Sequence, residues 1–320
     1  FPVFDHPNHR SAHERSTPTS GGLDILIAFT VGLLYYFDFS LFSGTLPKPI
    51  LTILLCSGIM GIVGFIDDTR SLSWFTRFLI QFILALTIVS NGIKIEHITT
   101  PAFGRIELGV WGEAISIFWL MAFTNAFNFM DGVNGMTAGS AIIAVAGLIF
   151  FHDGSAITSL ILAILPFSIL GFLVFNFPRG KIFMGDVGSQ FLGFFLASLG
   201  LYLPISDADF SQLIMPMLFL IFLFDTGVNI LIRARKKLSL AKPHRDFFFH
   251  ILNRLGWSHK RVTLLHMGFG AIQVMIAAYM QTISKHFHIL LFIPMVVLYT
   301  VYAIIVVRQA RKQGVELYKS

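Results

Sequence analysis

The sequence predicts an all-α polytopic integral membrane protein, and three observations carry this prediction. Hydrophobic residues make up 55% of the 320 residues and charged residues only 12%, about half the charged fraction of a typical soluble domain. Apolar runs of roughly 18 residues, long enough to cross a bilayer as a helix, recur along the whole chain. Basic residues are concentrated in every second loop between these runs. A soluble fold is therefore excluded.

Ten helical spans account for the apolar runs. No soluble domain, repeat or low-complexity tract separates them, so residues 1–320 are predicted to form one membrane domain. Between the third and fourth spans, residues 93–111 alternate in polarity around a glycine, which predicts a short β-hairpin. The predicted spans, of which the fourth is the shortest, are 21–37, 48–66, 74–92, 112–125, 136–152, 156–176, 187–204, 211–232, 264–282 and 288–307.

Lysine and arginine residues predict how the spans are oriented. If the N-terminal loop lies in the cytoplasm, 19 of the 23 basic residues fall on the cytoplasmic side. The opposite side keeps only Lys48, Lys94, Arg105 and Lys285. The net charge of +6 is thus explained by membrane topology and does not indicate nucleic-acid binding. We predict a multi-pass protein of the plasma membrane.

The chain begins with a polar segment and without an initiator methionine. We therefore expect a further segment, and with it a further span, ahead of Phe1. The single cysteine, Cys56, lies inside an apolar run, so an internal disulfide is excluded.

Four aspartates lie at the predicted cytoplasmic ends of separate spans. Asp67 and Asp68 close the second span, Asp131 lies in "NAFNFMDGVNGM", and Asp186 lies in "MGDVGS". A carboxylate near the hydrocarbon is costly, so such groups usually face a cavity and have partners. Converging carboxylates without cysteine or paired histidine favour Mg²⁺ as the partner. Ordinary solvated acids at loop ends are the alternative interpretation.

Two further segments are open to more than one interpretation. Asp225, inside "FLFDTGVNILIR", either supports the acidic site from an adjacent helix or pairs with Arg233. The pentapeptide "GDVGS" at 185–189 places glycines at the start of a helix, where the backbone can approach a phosphate or a metal closely. Lys181 precedes it and favours phosphate binding.

The loop at 233–263 is the longest and most basic one on the predicted cytoplasmic side. Much of its charge serves the positive-inside bias and attraction to anionic lipid. The stretch "PHRDFFFH" is more specific, because His244, Arg245 and His250 lie within seven residues among aromatic side chains. Arginine and histidine suit a diphosphate or its leaving group.

Taken together, these motifs resemble the polyprenyl-phosphate N-acetylhexosamine-1-phosphate transferases, a family that includes the phospho-MurNAc-pentapeptide translocase. The resemblance covers essentially the whole chain, and all of its motifs lie on the predicted cytoplasmic side. It rests, in chain order, on "DHPNHRSAHERSTPTSGG", "DD" at 67–68, "NAFNFMDGVNG", "FNFPRGKIFMGDVGS" and "HRDFFFHILNRLGWSHKRV".

The resemblance implies the reaction, the cofactor and the setting. A sugar 1-phosphate would pass from a UDP-N-acetylhexosamine to undecaprenyl phosphate, leaving a lipid-linked diphosphate sugar and UMP. The reaction would require Mg²⁺, for which Mn²⁺ could substitute. The family has eleven spans and a cytoplasmic active-site cleft in the bacterial inner membrane. One span would then precede residue 1, and homodimers have precedent in the family.

The resemblance also implies roles for the acidic and amide side chains. The magnesium ligand maps to Asp186. The paired aspartates that handle the lipid phosphate or its proton map to Asp67 and Asp68. Asn125, Asn128 and Asp131 map near the nucleotide sugar and the metal, which makes Asp131 a second candidate for metal binding.

Two positions depart from the pattern of the family. Asn134 stands where many relatives carry Asp, which removes one negative charge near the donor. In the last loop, Phe247 stands where relatives carry the first His of their motif, so the usual phosphate-binding His is either absent or replaced by His244 or His250. This loop is closer to the branch that initiates O-antigen synthesis than to the peptidoglycan translocase.

The mechanism we favour is a one-step attack, because an ionised lipid phosphate is already a nucleophile. Positioning and charge neutralisation would supply most of the catalysis. Two alternatives come from other functional classes. A transporter or flippase also uses intramembrane acids near helix breaks, and an impaired relative would bind lipid-linked sugars without turnover.

Overall fold

The computed structural model describes residues 4–5, 17–37, 46–152, 154–239 and 244–318. The prediction of an all-α protein is confirmed, because β-structure within these residues is limited to two short antiparallel strand pairs. The strands are β1 (Phe4–Asp5), β2 (Thr17–Pro18), β3 (His97–Thr100) and β4 (Gly104–Glu107). The helices are α1 (Gly21–Tyr36), α2 (Lys48–Arg70), α3 (Trp74–Ser90), α4 (Val110–Phe129), α5 (Met136–Phe151), α6 (Ala156–Asn176), α7 (Gly185–Ser206), α8 (Ile214–Leu218), α9 (Leu220–Arg235), α10 (Phe248–Arg254), α11 (His259–Met280) and α12 (Phe292–Lys312), which follows a 3-10 helix at Lys285–Leu291.

Each of the ten predicted spans falls on helical structure. Six helical units are long and apolar enough to cross a membrane: α2, α4, α6, α7, α11, and the 3-10 helix joined to α12. Three shorter apolar helices, α1, α3 and α5, accompany them among the described residues. The chain is thus a multi-pass membrane protein, and the count of ten spans stays a prediction.

The two predictions about the third-to-fourth connection have different outcomes. The hairpin predicted within 93–111 is confirmed, since β3 and β4 pair antiparallel with Ile98 opposite Ile106. The fourth span is longer than predicted: α4 has 20 residues rather than the 14 of 112–125. Its last turn contains polar residues such as Asn128, which hydropathy excludes from a span but which face the interior of the bundle here.

Helix α7 forms the centre of the bundle. Of its most apolar 18 residues, 89% are buried inside the protein, against 44% or less for the other five long helical units. Helices α2 and α4 pack along it, and α1 packs against both α6 and α7. Because α7 is surrounded, groups at its first turn are reached by the ends of several neighbouring helices.

Helix α2 approaches the start of α7 unusually closely. A Cβ atom at Gly64 would lie 2.3 Å from the carbonyl oxygen of Asp186, so only glycine fits at this crossing. Asp67 and Asp68 follow Gly64 by about one turn of the same helix. The glycine therefore brings the paired aspartates next to Asp186.

The eighth predicted span, 211–232, is not one continuous helix. It breaks at Phe219, between α8 and α9. Gln273 of α11 fills the break: with its amide oriented to satisfy both atoms, Nε2 donates to Leu218 O (2.8 Å) and Oε1 accepts from Leu220 N (3.1 Å) and Ile221 N (2.8 Å). Backbone groups at membrane depth need such partners, and the sequence pattern alone does not contain them.

Candidate active site

The first turn of α7 is held by the carboxylate of Asp68. Its Oδ1 accepts the backbone N–H of Asp186 (3.1 Å) and its Oδ2 that of Val187 (3.3 Å). These N–H groups have no partner within the helix, and an anion also complements the positive end of the helix dipole. Asp68 thus caps α7 from a different helix, and it fixes where Asp186 stands.

Arg77 joins the carboxylates of α2 and α7. Its Nη1 lies 2.6 Å from Asp67 Oδ2 and 3.3 Å from Asp186 Oδ2. Asp67 also accepts the backbone N–H of Leu72 at 2.6 Å. Arg77 is not among the site residues predicted from the sequence. A signal was present, because a cation in the first turn of a helix opposes the helix dipole unless acids lie nearby.

Asn128, in the last turn of α4, completes this group of side chains. Its Nδ2 donates to Asp186 Oδ1 (2.8 Å) and to Ser189 Oγ (2.7 Å). We refer to Asp67, Asp68, Arg77, Asn128 and Asp186 as the acid cluster. The cluster unites residues of α2, α3, α4 and α7, and within it the carboxylates of Asp67 and Asp186 share the guanidinium of Arg77.

Asn125 lies one turn before Asn128 and has different partners. Its Nδ2 donates to Gln81 Oε1 (2.7 Å) and to Met121 O (2.7 Å). Gln81 is buried on α3. In this structure Asn125 therefore ties α4 to α3, and it is not hydrogen-bonded to the acid cluster.

Asp131 lies in the connection between α4 and α5, beside the acid cluster. Burial, with the negative charge of Asp68, raises the pKa of Asp131 to about 7, while a hydrogen bond with the Thr137 side chain acts in the opposite direction. A carboxyl group whose ionised form is so disfavoured gains from a nearby cation. Asp131 therefore adds to the demand for positive charge at this end of the bundle.

Asn134 is held between α11 and the turn that precedes α7. Its backbone N–H donates to His259 Nδ1 (3.3 Å), its carbonyl accepts from Thr263 Oγ1 (2.7 Å), and its Nδ2 donates to Pro178 O (3.4 Å). Lys181 lies in the same turn, is exposed, and takes no part in the hydrogen bonds of the acid cluster.

The start of α10 is held by Asp225, whose side chain is fully buried. Phe248 N donates to both of its carboxylate oxygens, at 3.0 and 3.1 Å, and Asn229 Nδ2 donates to Oδ1 at 2.7 Å. Neither interpretation of Asp225 matches these contacts, because its carboxylate holds the start of α10 and none of its hydrogen bonds goes to the acid cluster. Arg233 instead pairs with Asp246, at 2.7 Å.

His250 of α10 packs on the α4–α5 connection. A Cβ atom at Gly132 would lie 2.8 Å from His250 Cε1, so the imidazole contacts the backbone next to Asp131. Burial, reinforced by the charge of Arg245, lowers the pKa of His250 to about 3, which leaves it neutral near pH 7. It can therefore act there as a hydrogen-bonding group but not as a cation.

Arg245 and His244 stand beside His250. Arg245 is half-buried, and its buried Nε has no hydrogen-bond partner among the described residues. His244 stacks on Phe247 with the ring centroids 4.8 Å apart, and burial lowers its pKa. Phe247 also stacks on Phe129 of α4, at 5.9 Å. Arg245 is thus the residue of "PHRDFFFH" that offers positive charge to an anion.

The segment after α12 folds back onto this loop, which the sequence analysis did not predict. Tyr318 N donates to Asp246 Oδ1 (2.9 Å), and Arg254 Nη2 donates to Glu316 O (2.6 Å). Asp246 is 5% exposed and bonds Arg233 at the same time. We refer to Arg233, Asp246 and Tyr318 as the tail clamp.

The described side chains do not provide a complete set of ligands for a metal ion. Within the described residues, no three His, Cys, Asp or Glu side chains are placed to hold a metal together. Mg²⁺ is usually held by one or two carboxylates plus substrate phosphates. The side chain of Asp186 is 28% exposed, so its donor set fits a magnesium ion that arrives with a phosphorylated ligand.

Comparison with known proteins gives one family and consistent relatives. A model described as glycosyl transferase family 4 matches residues 50–203, which include Asp67, Asp68, Asp131 and Asp186. A probable undecaprenyl-phosphate N-acetylglucosaminyl 1-phosphate transferase of Bacillus subtilis is 32% identical over 82% of this chain and 73% of its own length. A decaprenyl-phosphate N-acetylglucosaminephosphotransferase of Mycolicibacterium smegmatis is 30% identical over 83% and 72%. An undecaprenyl-phosphate alpha-N-acetylglucosaminyl 1-phosphate transferase of Escherichia coli K12 is 29% identical over 82% and 72%.

Proposed function

The chain belongs to the polyprenyl-phosphate N-acetylhexosamine-1-phosphate transferases, and on this premise we propose its substrates, its metal and its site. It is an enzyme of glycosyl transferase family 4 that transfers a sugar phosphate to a polyprenyl phosphate. The donor is a UDP-N-acetylhexosamine and the acceptor is undecaprenyl phosphate. The products are a lipid-linked diphosphate sugar and UMP, and the reaction depends on Mg²⁺, for which Mn²⁺ can substitute.

The single observation that carries the proposal is the convergence of carboxylates at the first turn of α7. Asp67 and Asp186 meet there on the guanidinium of Arg77, Asp68 binds the backbone of the same turn, and Asp131 lies beside them. Both substrates are anions that repel each other. A site that joins them needs cations held in place, and the acid cluster is built to hold them.

Asp186 is the proposed magnesium ligand, with Asp131 as the second. When bound, the metal would neutralise charge on the donor diphosphate and on the transferring phosphoryl group. Asn128 orients the Asp186 carboxylate through its 2.8 Å hydrogen bond. The hydrogen bond that Asp68 accepts from Asp186 N fixes the position of the Asp186 backbone. The chain thereby fixes one ligand before any substrate arrives.

Asp67 and Arg77 are proposed to meet the lipid phosphate. Asp67 anchors the guanidinium at 2.6 Å, and the side chain of Arg77 is 36% exposed. Arginine donates several N–H groups in a planar fork, so those that do not face the carboxylates can bind phosphate oxygens. The acceptor phosphate attacks in one step, and a carboxylate of the Asp67–Asp68 pair takes its proton when it arrives protonated.

The donor is proposed to lie between the α4–α5 connection and the loop before α10. Asn125, Asn128 and Asn134 line one side, with Lys181 at the rim. Arg245 supplies the cation for the diphosphate, while neutral His250, packed on Gly132, and His244 supply hydrogen bonds. Asn134 in place of a carboxylate makes this side less negative, which favours an anionic donor.

The cellular setting is part of the same proposal. The concentration of basic residues on one side supports an active site facing the cytoplasm from the bacterial inner membrane. The resemblance of the last loop supports the initiation of an O-antigen-like envelope polysaccharide. A homodimer is compatible with all of this.

One assay tests the proposal. The full chain, purified in detergent, is supplied with undecaprenyl phosphate, Mg²⁺ and a panel of UDP-N-acetylhexosamines, and UMP release is measured. We expect release with at least one donor and none without the metal. A folded protein that releases no UMP with any donor would contradict the proposal.

The same assay tests a second candidate function, that of a catalytically impaired relative. This candidate is favoured by Phe247, which places a stacked aromatic ring where a phosphate-binding residue is expected. Such a protein would bind undecaprenyl diphosphate sugar but release no UMP. A transporter is disfavoured, because Gln273 closes the only helix break among the predicted spans in the described part of the chain.

A further inference from the structure

A second polar site lies at the other end of α7. A cavity of about 610 Å³ is enclosed by the β3–β4 hairpin, the connection from α7 to α8, and the turn before the 3-10 helix. Pro204, near the last residue of α7, lines it, whereas Asp186 is the second residue of the same helix. A helix of 22 residues is about 33 Å long, so the cavity and the acid cluster lie at opposite faces of the membrane.

The wall of this cavity is basic. Arg105, Lys285, His97 and His286 line it, and none of the lining residues within the described part of the chain is Asp or Glu. Among the described residues, the ammonium of Lys285 bonds the neutral carbonyl oxygens of Ala208 and Phe210 and forms no ion pair.

Two further polar groups are available to a ligand. Arg105 engages Glu107 through Nε alone, at 2.6 Å, which leaves the terminal nitrogens of its guanidinium for another acceptor. The Nδ1 atom of His97 is buried, and no hydrogen-bond partner for it is found among the described residues.

We propose that this cavity binds the phosphate of an anionic phospholipid from the leaflet opposite the acid cluster. Cations in a cavity at the membrane surface attract anionic headgroups. A free phosphate ion would satisfy the same cations, so the choice of a lipid rests on a separate observation about the cavity wall.

The cavity opens onto the lipid-facing surface of the protein. Ile289 lines the cavity and is 42% exposed. Leu290 and Ile293 continue this apolar surface from the 3-10 helix onto α12, and they are 45% and 59% exposed. A phosphate held by Arg105 and Lys285 would leave its acyl chains along this surface. A soluble anion gains nothing from the same surface.

The test measures lipid binding to the purified full chain. Phosphatidylglycerol, with phosphatidylcholine as the neutral reference, is titrated into protein in detergent, and bound lipid is counted by native mass spectrometry. Arg105→Gln and Lys285→Gln should each weaken phosphatidylglycerol binding about fivefold and leave phosphatidylcholine binding unchanged. Glu107→Gln should strengthen phosphatidylglycerol binding, because it frees the guanidinium of Arg105.

The matched control is Lys94→Gln. Lys94 is a basic residue just before the hairpin, but it pairs with Glu113 at 2.7 Å and does not line the cavity. Phosphatidylglycerol binding should therefore stay at the wild-type value. If Lys285→Gln fails to fold, Arg105→Gln and Glu107→Gln still decide the matter, since they must shift affinity in opposite directions. Unchanged affinity in both would overturn the proposal. Displacement of phosphatidylglycerol by equimolar inorganic phosphate would assign the cavity to a soluble anion, which also overturns it.

Discussion

The starts of α7 and α10 are built in the same way but are supported differently. Each has its first N–H groups bound by an aspartate from another helix, Asp68 for α7 and Asp225 for α10. Helix α7 has 22 residues and is the most buried of the long helical units. Helix α10 has seven residues, too few to be stable alone. Burial over 22 residues therefore places α7, whereas the short α10 depends on the bond to Asp225 in addition to its buried residues.

Because of this difference, we expect the cap of α7 to affect mainly catalysis and the cap of α10 to affect mainly stability. Asp68, which caps α7, is half-buried and belongs to the acid cluster. Its loss should therefore change the charge around Asp186 more than it changes the fold. The cap of α10 is fully buried, so its loss should displace the loop that carries His244, Arg245 and His250. The predictions below test this separation.

The largest effect is expected for Asp186→Asn. Loss of the proposed metal ligand should lower turnover by at least about a hundredfold, because charge on the phosphoryl group would no longer be neutralised. UMP release measures it, and the thermal unfolding temperature should change little. Asp209→Asn, an exposed acid beyond the other end of α7, is the control that should keep full activity. Turnover within twofold of wild type in Asp186→Asn would refute the metal role.

The two capping aspartates should separate stability from turnover. Asp225→Ala leaves the N–H of Phe248 buried without its acceptor and removes one of the two acceptors of the Asn229 amide, which should lower the free energy of unfolding by about 3 kcal/mol. Asp68→Ala should cost about 1 kcal/mol but a larger share of turnover. Thermal unfolding and UMP release are measured on both variants. If both variants lost the same free energy of unfolding, α7 would depend on its cap as much as α10 does, and burial would not be what places it.

The break between α8 and α9 offers a third helix start to compare. There the donors at membrane depth meet a neutral amide, that of Gln273, rather than a carboxylate, as expected where an unpaired charge is most costly. Gln273→Leu should lower the free energy of unfolding by about 2 kcal/mol, with kcat preserved in the protein that remains folded. Gln281→Leu, at the end of the same helix, is the control, and a stable Gln273→Leu protein would contradict this account.

The tail clamp should act on the α10 end alone. Removing the chain from Gly314 onwards deletes the N–H of Tyr318 that bonds Asp246 and the carbonyl of Glu316 that bonds Arg254. The loss of these two charge-assisted hydrogen bonds predicts a rise of at least about tenfold in KM for the nucleotide sugar, with KM for the lipid unchanged. An equal rise in both KM values would indicate general loosening instead of a local effect on the loop.

His250 should make the α10 end sensitive to acid. Its pKa is about 3 in the folded protein, below the usual 6.5, so the unfolded chain binds more protons between these values. The free energy of unfolding should therefore fall as the pH drops below about 6.5, by about 1 kcal/mol at pH 5.5. His250→Phe should remove this part of the pH dependence. An identical pH profile in the variant would show that the imidazole does not titrate as described.

Much of the fold could be predicted because membrane spans are encoded locally. Length and hydropathy identify a span without knowledge of its neighbours, so all ten predicted spans fall on helices. The break at Phe219 could not be predicted, because it depends on Gln273, which is 54 residues away in the sequence and adjacent only in the fold.

The sequence by itself determined the class of the protein and predicted the side of the membrane on which its acids lie. Asp67, Asp68, Asp131 and Asp186 were identified because polar groups at the ends of apolar runs are conspicuous. Only the tertiary structure decided the partners of the aspartates. Arg77 binds Asp67 and Asp186, and the α7 backbone binds Asp68. Asp225, at the other helix start, is bound by the α10 backbone. The physical reason is distance. Hydrogen bonds act within about 3 Å, and which groups come that close depends on how the helices cross, as at Gly64, not on local sequence.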